Sequence, residues 1–207
     1  MRWLFLLLAL ALALAPGLAA AQAALEVARV FAVPLSAKDI GLSDAASRPA
    51  AAAALRQRAM KAALEHFVVE QKLQATDEDL AAYGKWNEEF QRRQSRPDAD
   101  RPVTEAQAES RKRVWSQWII GFKTNRALYE KHGGRVGLTK FGPEPIGAIE
   151  ALLRERAGSG DLVIADAALA KEFWSWFASQ PRRVARPEEI DFTFYWLRPH
   201  APDGARR

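Results

Sequence analysis

The chain contains no cysteine. That excludes a disulfide framework and the lipidated cysteine of a bacterial anchor. Histidine is scarce: His66, His132 and His200 are the only three, and none has a partner at metal-ligand spacing. A zinc site is therefore not expected. The chain also lacks a Gly-x-Ser-x-Gly elbow, a Walker phosphate loop and a dinucleotide fingerprint, so no enzyme class announces itself and no cofactor is expected. Adjacent acids such as Glu88-Glu89 read as a solvated helix face rather than an acid–base pair. Beyond the N-terminus no stretch is long and apolar enough to span a bilayer, which takes about 20 residues. Charge is nearly balanced, with 30 Lys and Arg against 25 Asp and Glu and a net of +5. That is a mildly basic surface and does not argue for nucleic acid.

The N-terminus holds the most specific pattern. Arg2 precedes an apolar run from Leu4 to Ala15, Pro16-Gly17 breaks it, and small residues follow to Ala23. A positive start, a short apolar core and small residues are the order of a secretory signal peptide. Residues 1–21 are read as that signal, with Ala19-Ala20-Ala21 preceding a mature start at Gln22 and Ala21-Gln22-Ala23 offering a start at Ala24. A periplasmic or secreted location follows, with no integral membrane segment after cleavage. The remaining length, about 185 residues, suffices for one good core or two small ones. Tryptophan is the compositional oddity: after the signal come Trp86, Trp115, Trp118, Trp174, Trp176 and Trp196.

Along the mature chain the patterning is mostly helical. Leu25–Leu35 alternates Val27, Phe31 and Val33 and predicts one short strand ended by Pro34. Ser36–Ile40 predicts a helical turn. Residues 49–72 predict a helix capped by Ser47, with Leu55, Ala59, Ala62, Ala63 and Phe67 on its apolar face. Thr76 with Asp77-Glu78-Asp79 predicts a capped helix running to Gln94, with Leu80, Tyr83, Trp86 and Phe90 on one side. Residues 95–103 form a polar, proline-bounded linker. Thr104 starts a long helix in which Trp115, Trp118, Ile119, Phe122 and Tyr129 recur at three and four, stopped by Gly133-Gly134 at His132. A strand over 135–141, a helix over 146–156, a last helix capped by Asp166 and a strand through Ile190, Phe192, Phe194 and Trp196 complete the pattern. Residues 200–207 are a frayed tail. The small sheet is expected to join the segments at Val27, Val136 and Phe192.

Two regions resemble a known family. Val27-Ala28-Arg29-Val30-Phe31-Ala32-Val33-Pro34-Leu35-Ser36 followed by Lys38-Asp39-Ile40 resembles the opening strand and turn of the SurA-like foldase chaperones. In that family a V-A-x-V-N-G strand leads into x-x-I-T-x-x-D-L. Here Phe31-Ala32 stands where the family has Asn-Gly. Glu70-Gln71-Lys72-Leu73-Gln74-Ala75-Thr76-Asp77-Glu78-Asp79-Leu80 is similar to the family's helix, short turn and T-D-E-E restart. Together these cover about a third of the mature chain, read as a SurA-N-like part over 22–94 and a helical continuation with short strands over 104–199. Gly133-Gly134-Arg135-Val136-Gly137-Leu138, with Phe141-Gly142 and Pro145, is similar to the G-G-x-L-G-W segment of parvulin prolyl isomerases.

The expected fold is mainly α, a helical chaperone-like domain with a small two- or three-stranded β element. The aromatic stripes support two readings. Burying such rings is the largest stabilising contribution open to a domain of this size. Alternatively some rings stay exposed and line a groove, because a ring offers wide contact to unrelated apolar peptides. Burial is the usual outcome at this spacing; for a chaperone, as the resemblance implies, Trp86, Phe90, Trp115, Trp118 and Phe122 are the candidate groove residues and unfolded or partly folded exported proteins the partners. The basic run Arg111-Lys112-Arg113 beside them reads as a solvated face. The alternative function is a divergent prolyl isomerase.

Overall fold

Alternation at the start of the described chain produces a hairpin where one strand is expected. In the computed structural model, which describes residues 26–94, 104–139, 142–179 and 183–198, β1 (Glu26–Val30) turns at Phe31-Ala32 into β2 (Val33–Ser36). Phe31 takes a positive φ of 52°, a conformation that non-glycine residues adopt rarely. Its amide is held by the carbonyl of Asp161. The buried side chains are Ala28, Val30 and Leu35. The expected set Val27, Phe31 and Val33 is thus out of phase, because the turn at Phe31-Ala32 interrupts the alternation.

Pairing also differs from expectation. β1 lies between β2 and β5 (Leu162–Ile164), both antiparallel to it, with Ala28 opposite Leu35 and Ile164. The strand near Val27 does not pair with segments near Val136 or Phe192. Near Val136, β3 (Gly137–Thr139) instead pairs with β4 (Gly142–Glu144), a stretch expected to be only a turn. The Phe192 segment is not a strand. Asp191 accepts from the amide of Thr193 at 2.8 Å, Arg198 donates to the carbonyls of Asp191 and Thr193, and a 3₁₀ turn over Tyr195–Leu197 follows. The signal segment 1–21, the linker 95–103 and the tail 200–207 lie outside the described residues.

The rest is helical: α1 (Ala37–Ile40), α2 (Arg48–Glu70), α3 (Asp77–Arg93), α4 (Glu105–His132), α5 (Ile146–Gly158) and α6 (Ala167–Ala178). The protein is mainly α with a three-stranded antiparallel sheet and a two-stranded one. Local chemistry sets most starts. Ser36 with Asp39, Thr76 with Asp79, and Thr104 with Gln107 form reciprocal capping boxes, and Asp166 accepts from the amide of Leu169 at 2.8 Å. Ser47 departs from expectation. Its hydroxyl accepts from the amides of Ser43 and Asp44 and donates to the carbonyl of Asp44, so it closes the loop ahead of α2 and does not cap a helical amide.

The chain divides into two compact units, one of Met1–Ala63 with Glu150–Pro181, the other of Leu64–Ile149 with Arg182–Arg207. In the first, β1, β2 and β5 accompany a set of fully buried apolar side chains: Leu55 and Ala59 of α2, Leu152 and Leu153 of α5, Leu169, Phe173 and Phe177 of α6. Arg56 is buried with them. Its Nη1 donates to the carbonyl of Phe173 at 3.1 Å and its guanidinium lies 4.6 Å from the ring centre of Trp176. Burial pulls its pKa down, and the nearby Glu172 partly offsets this. In the second unit, the start of α5 meets the segment after α4. The amide of Gly147 donates to the carbonyl of Arg135 at 2.8 Å, and a Cβ on Gly147 would lie 2.4 Å from the amide nitrogen of Arg135. Gly133 and Gly134 take φ of 62° and 88°. The Gly-Gly pair therefore ends α4 and brings the backbone against Gly147.

Candidate functional site

The site grows from the α3–α4 hairpin of the second unit. Both helices begin at capping boxes, and a cross-link sets their register. Lys123 of α4 donates to the carboxylate of Asp79 at 2.5 Å and to the carbonyl of Gln74 at 3.0 Å. Burial disfavours the charged carboxyl of Asp79. Bonds from Lys123 and from the backbone and hydroxyl of Thr76 outweigh that and hold its pKa below the ordinary value. With Asp79 beside Lys123, an antiparallel run at 1.5 Å per residue brings Tyr83 to Ile119 and Gly84 to Trp115. Gly84 is the enabling residue there, since a Cβ on it would lie 3.1 Å from Cζ3 of Trp115.

Around Tyr83, Ile119 and Trp196, all buried, the remaining rings assemble. Tyr83 meets Trp115 at 5.5 Å, Trp86 at 5.7 Å and Trp196 at 5.3 Å between ring centres. Trp86 stacks on Phe90 at 5.3 Å and 12°, and Phe122 meets Trp196 edge-on at 5.3 Å and 84°. Phe194 stacks on Trp196 at 4.8 Å and 7°. The Tyr195 hydroxyl donates to that of Tyr83 at 3.2 Å, and burial, with this bond, pushes the Tyr195 phenol well above its ordinary pKa. The indole N–H of Trp196 is buried and has no hydrogen-bond acceptor among the described residues. Offset and edge-to-face contacts of this kind add to what burial alone supplies.

Of the five residues proposed from sequence, Trp86, Trp115 and Phe122 lie half-buried against this cluster, and Phe90 is half-buried on Trp86. Trp118 lies on the outward side of α4 and keeps 43% of its surface exposed. One turn before it, Val114 is 48% exposed. The sequence reading missed Phe194, Tyr195 and Trp196 as partners of the helices. The density of rings in Phe192–Trp196 is the sequence signal for this, and their alternation reads equally as a strand. Ile119 and Trp196 are thus core, while Trp118 is surface.

Other chemistry is sparse. His66 is exposed on α2, and His200 lies outside the described residues. Among the described residues no group of three His, Asp or Glu side chains is placed to hold a metal ion. No described helix is long and apolar enough to cross a membrane. Comparison with protein-family models, with curated proteins and with solved structures finds no match to this chain.

Proposed function

We propose that this protein is an exported, non-enzymatic chaperone or assembly factor that holds apolar segments of unfolded or partly folded secreted proteins. The observation that carries the proposal is the exposed Trp118–Val114 pair on α4, beside the half-buried rings of Trp115 and Phe122. An exposed ring beside half-buried ones offers contact area to an apolar segment. Shallow contact with such a surface gives weak binding and fast exchange, which suits a holding function. The signal-like N-terminus and the resemblance to SurA-like foldases support the same reading. The Gly-Gly segment similar to prolyl isomerases has a packing role against Gly147. The test is a paired assay on the purified protein. Suppression of aggregation of a chemically unfolded secreted protein is expected, with proline-peptide isomerisation at the uncatalysed rate. Isomerisation clearly above that rate, lost on changing Gly134 or His132, would reverse the assignment.

A further inference from the structure

Several of the described cations are matched. Arg29, Arg92, Arg126, Arg154, Arg183 and Arg198 each meet a carboxylate within ion-pair distance. Arg111 is exposed and has no carboxylate partner among the described residues. Its sequence neighbours explain this: the positions three and four away on α4 are Gln107, Ala108, Val114 and Trp115, none of them acidic. At 3.6 residues per turn, Arg111, Val114, Trp118 and Gly121 follow one strip of α4. Gly121 is exposed, and a Cβ there would meet nothing within 4 Å. A glycine inside a helix lowers its stability, and no contact among the described residues calls for this one. It leaves a bare step of backbone one turn beyond the Trp118 ring. The strip is thus a cation, two exposed apolar side chains and a bare step, in that order.

We infer that this strip docks an extended peptide segment carrying an acidic residue about three positions from an apolar or aromatic anchor. Arg111 and Trp118 are separated by about 10 Å along the helix axis, and an extended chain covers that in about three residues at roughly 3.3 Å each. The carboxylate would meet the Arg111 guanidinium while the anchor lies on Trp118 and Val114 over Gly121. The inference rests on the chaperone proposal and adds the class of segment it prefers. A bilayer surface fits less well. An interfacial helix lays a broad apolar face into lipid, whereas Trp115, Ile119 and Phe122 on the neighbouring face are engaged with the aromatic cluster.

The test uses three short fluorescent peptides and the purified protein. One has a glutamate three residues from a phenylalanine, one has glutamine in its place, and one has the glutamate moved next to the phenylalanine. Anisotropy titration should show the first bound about three- to fivefold more tightly than the others, the range an exposed ion pair supplies. Arg111→Gln should erase that preference and leave the glutamine peptide's affinity unchanged. Gly121→Leu, which fills the step without touching the core, should weaken all three with no loss of thermal stability. Equal binding of the three peptides to the native protein would overturn the acidic preference while leaving the chaperone proposal standing. Binding of none of them would remove both. Unchanged affinities in Gly121→Leu would overturn the placement of the strip. Binding to anionic vesicles that is lost in Arg111→Gln, without any peptide preference, would assign the strip to a membrane surface instead.

Discussion

Aromatic residues at helical spacing occur in both units, with different outcomes. In α6, Phe173 and Phe177 are fully buried, and the adjoining Trp174 and Trp176 rings are half-buried beneath the guanidinium groups of Arg154 and Arg56 at 4.4 and 4.6 Å. In α3 and α4, Trp86, Phe90, Trp115 and Phe122 are half-buried around Tyr83, and Trp118 faces outward. The spacing rule alone does not separate these cases. What separates them is how many sides of the helix are covered. In α6 the inward rings are enclosed and cations lie over the outward ones. In α4 the rings of the inward face pack against α3 and the Phe194–Trp196 segment, and Trp115 and Phe122 stay half-buried there.

The largest expected effect tests the enclosed side. Phe173→Ala should cost about 3 to 5 kcal/mol of unfolding free energy, measured by denaturant titration, because it opens a cavity among fully buried neighbours. A loss below about 1 kcal/mol would mean that α6 is no better packed than α4, and the contrast would collapse.

A smaller effect concerns what sets the hairpin's register. The carboxyl of Asp79 has a depressed pKa, so its contribution to stability is complete above its unfolded value of about 3.8. It is lost as pH falls through the lower folded value. Acid unfolding should therefore weaken the native protein more than Asp79→Asn over that window. At neutral pH, Asp79→Asn should itself cost about 1 kcal/mol through the Lys123 pair and the Thr76 cap. Identical acid profiles for the two proteins would remove Asp79 from the account of the hairpin.

The smallest stability effect sharpens the open side and has the opposite sign. Gly121→Ala should raise unfolding free energy by about 0.5 to 1 kcal/mol, since a Cβ there meets nothing and alanine is the better helix former. A destabilisation, read by thermal melting, would show that the step beside Trp118 is occupied.

Features that depend on neighbours in sequence were legible beforehand. Thr76, Thr104 and Asp166 announce their helices because a cap acts over three residues, and the Gly133-Gly134 stop acts over one turn. Features that depend on distant partners were not. Leu162–Ile164 is too short to show a period, yet it pairs with β1 from the far end of its unit. The phase of β1 departs from the alternation because a hairpin turn falls on Phe31-Ala32, residues that carry no turn signature. Phe192–Trp196 alternates like a strand, but it is the burial of Trp196 against Tyr83 and Phe122 that fixes its shape. For the site, helical spacing located Trp86, Phe90, Trp115 and Phe122 together. It did not separate Trp118 from them, because coverage of a helix face is a tertiary property.

The central claim is that Trp118 serves binding and not folding, and Trp118→Ala tests it most directly. Thermal unfolding and suppression of client aggregation would be measured on the same preparation, beside Trp115→Ala as the half-buried control. The account predicts that Trp118→Ala melts within about 2 °C of the native protein, since a half-exposed side chain contributes little. It also predicts that this variant loses most of its aggregation-suppressing activity, while Trp115→Ala melts lower. A Trp118→Ala protein that keeps full activity, or one whose activity falls only in proportion to its stability, would contradict the account.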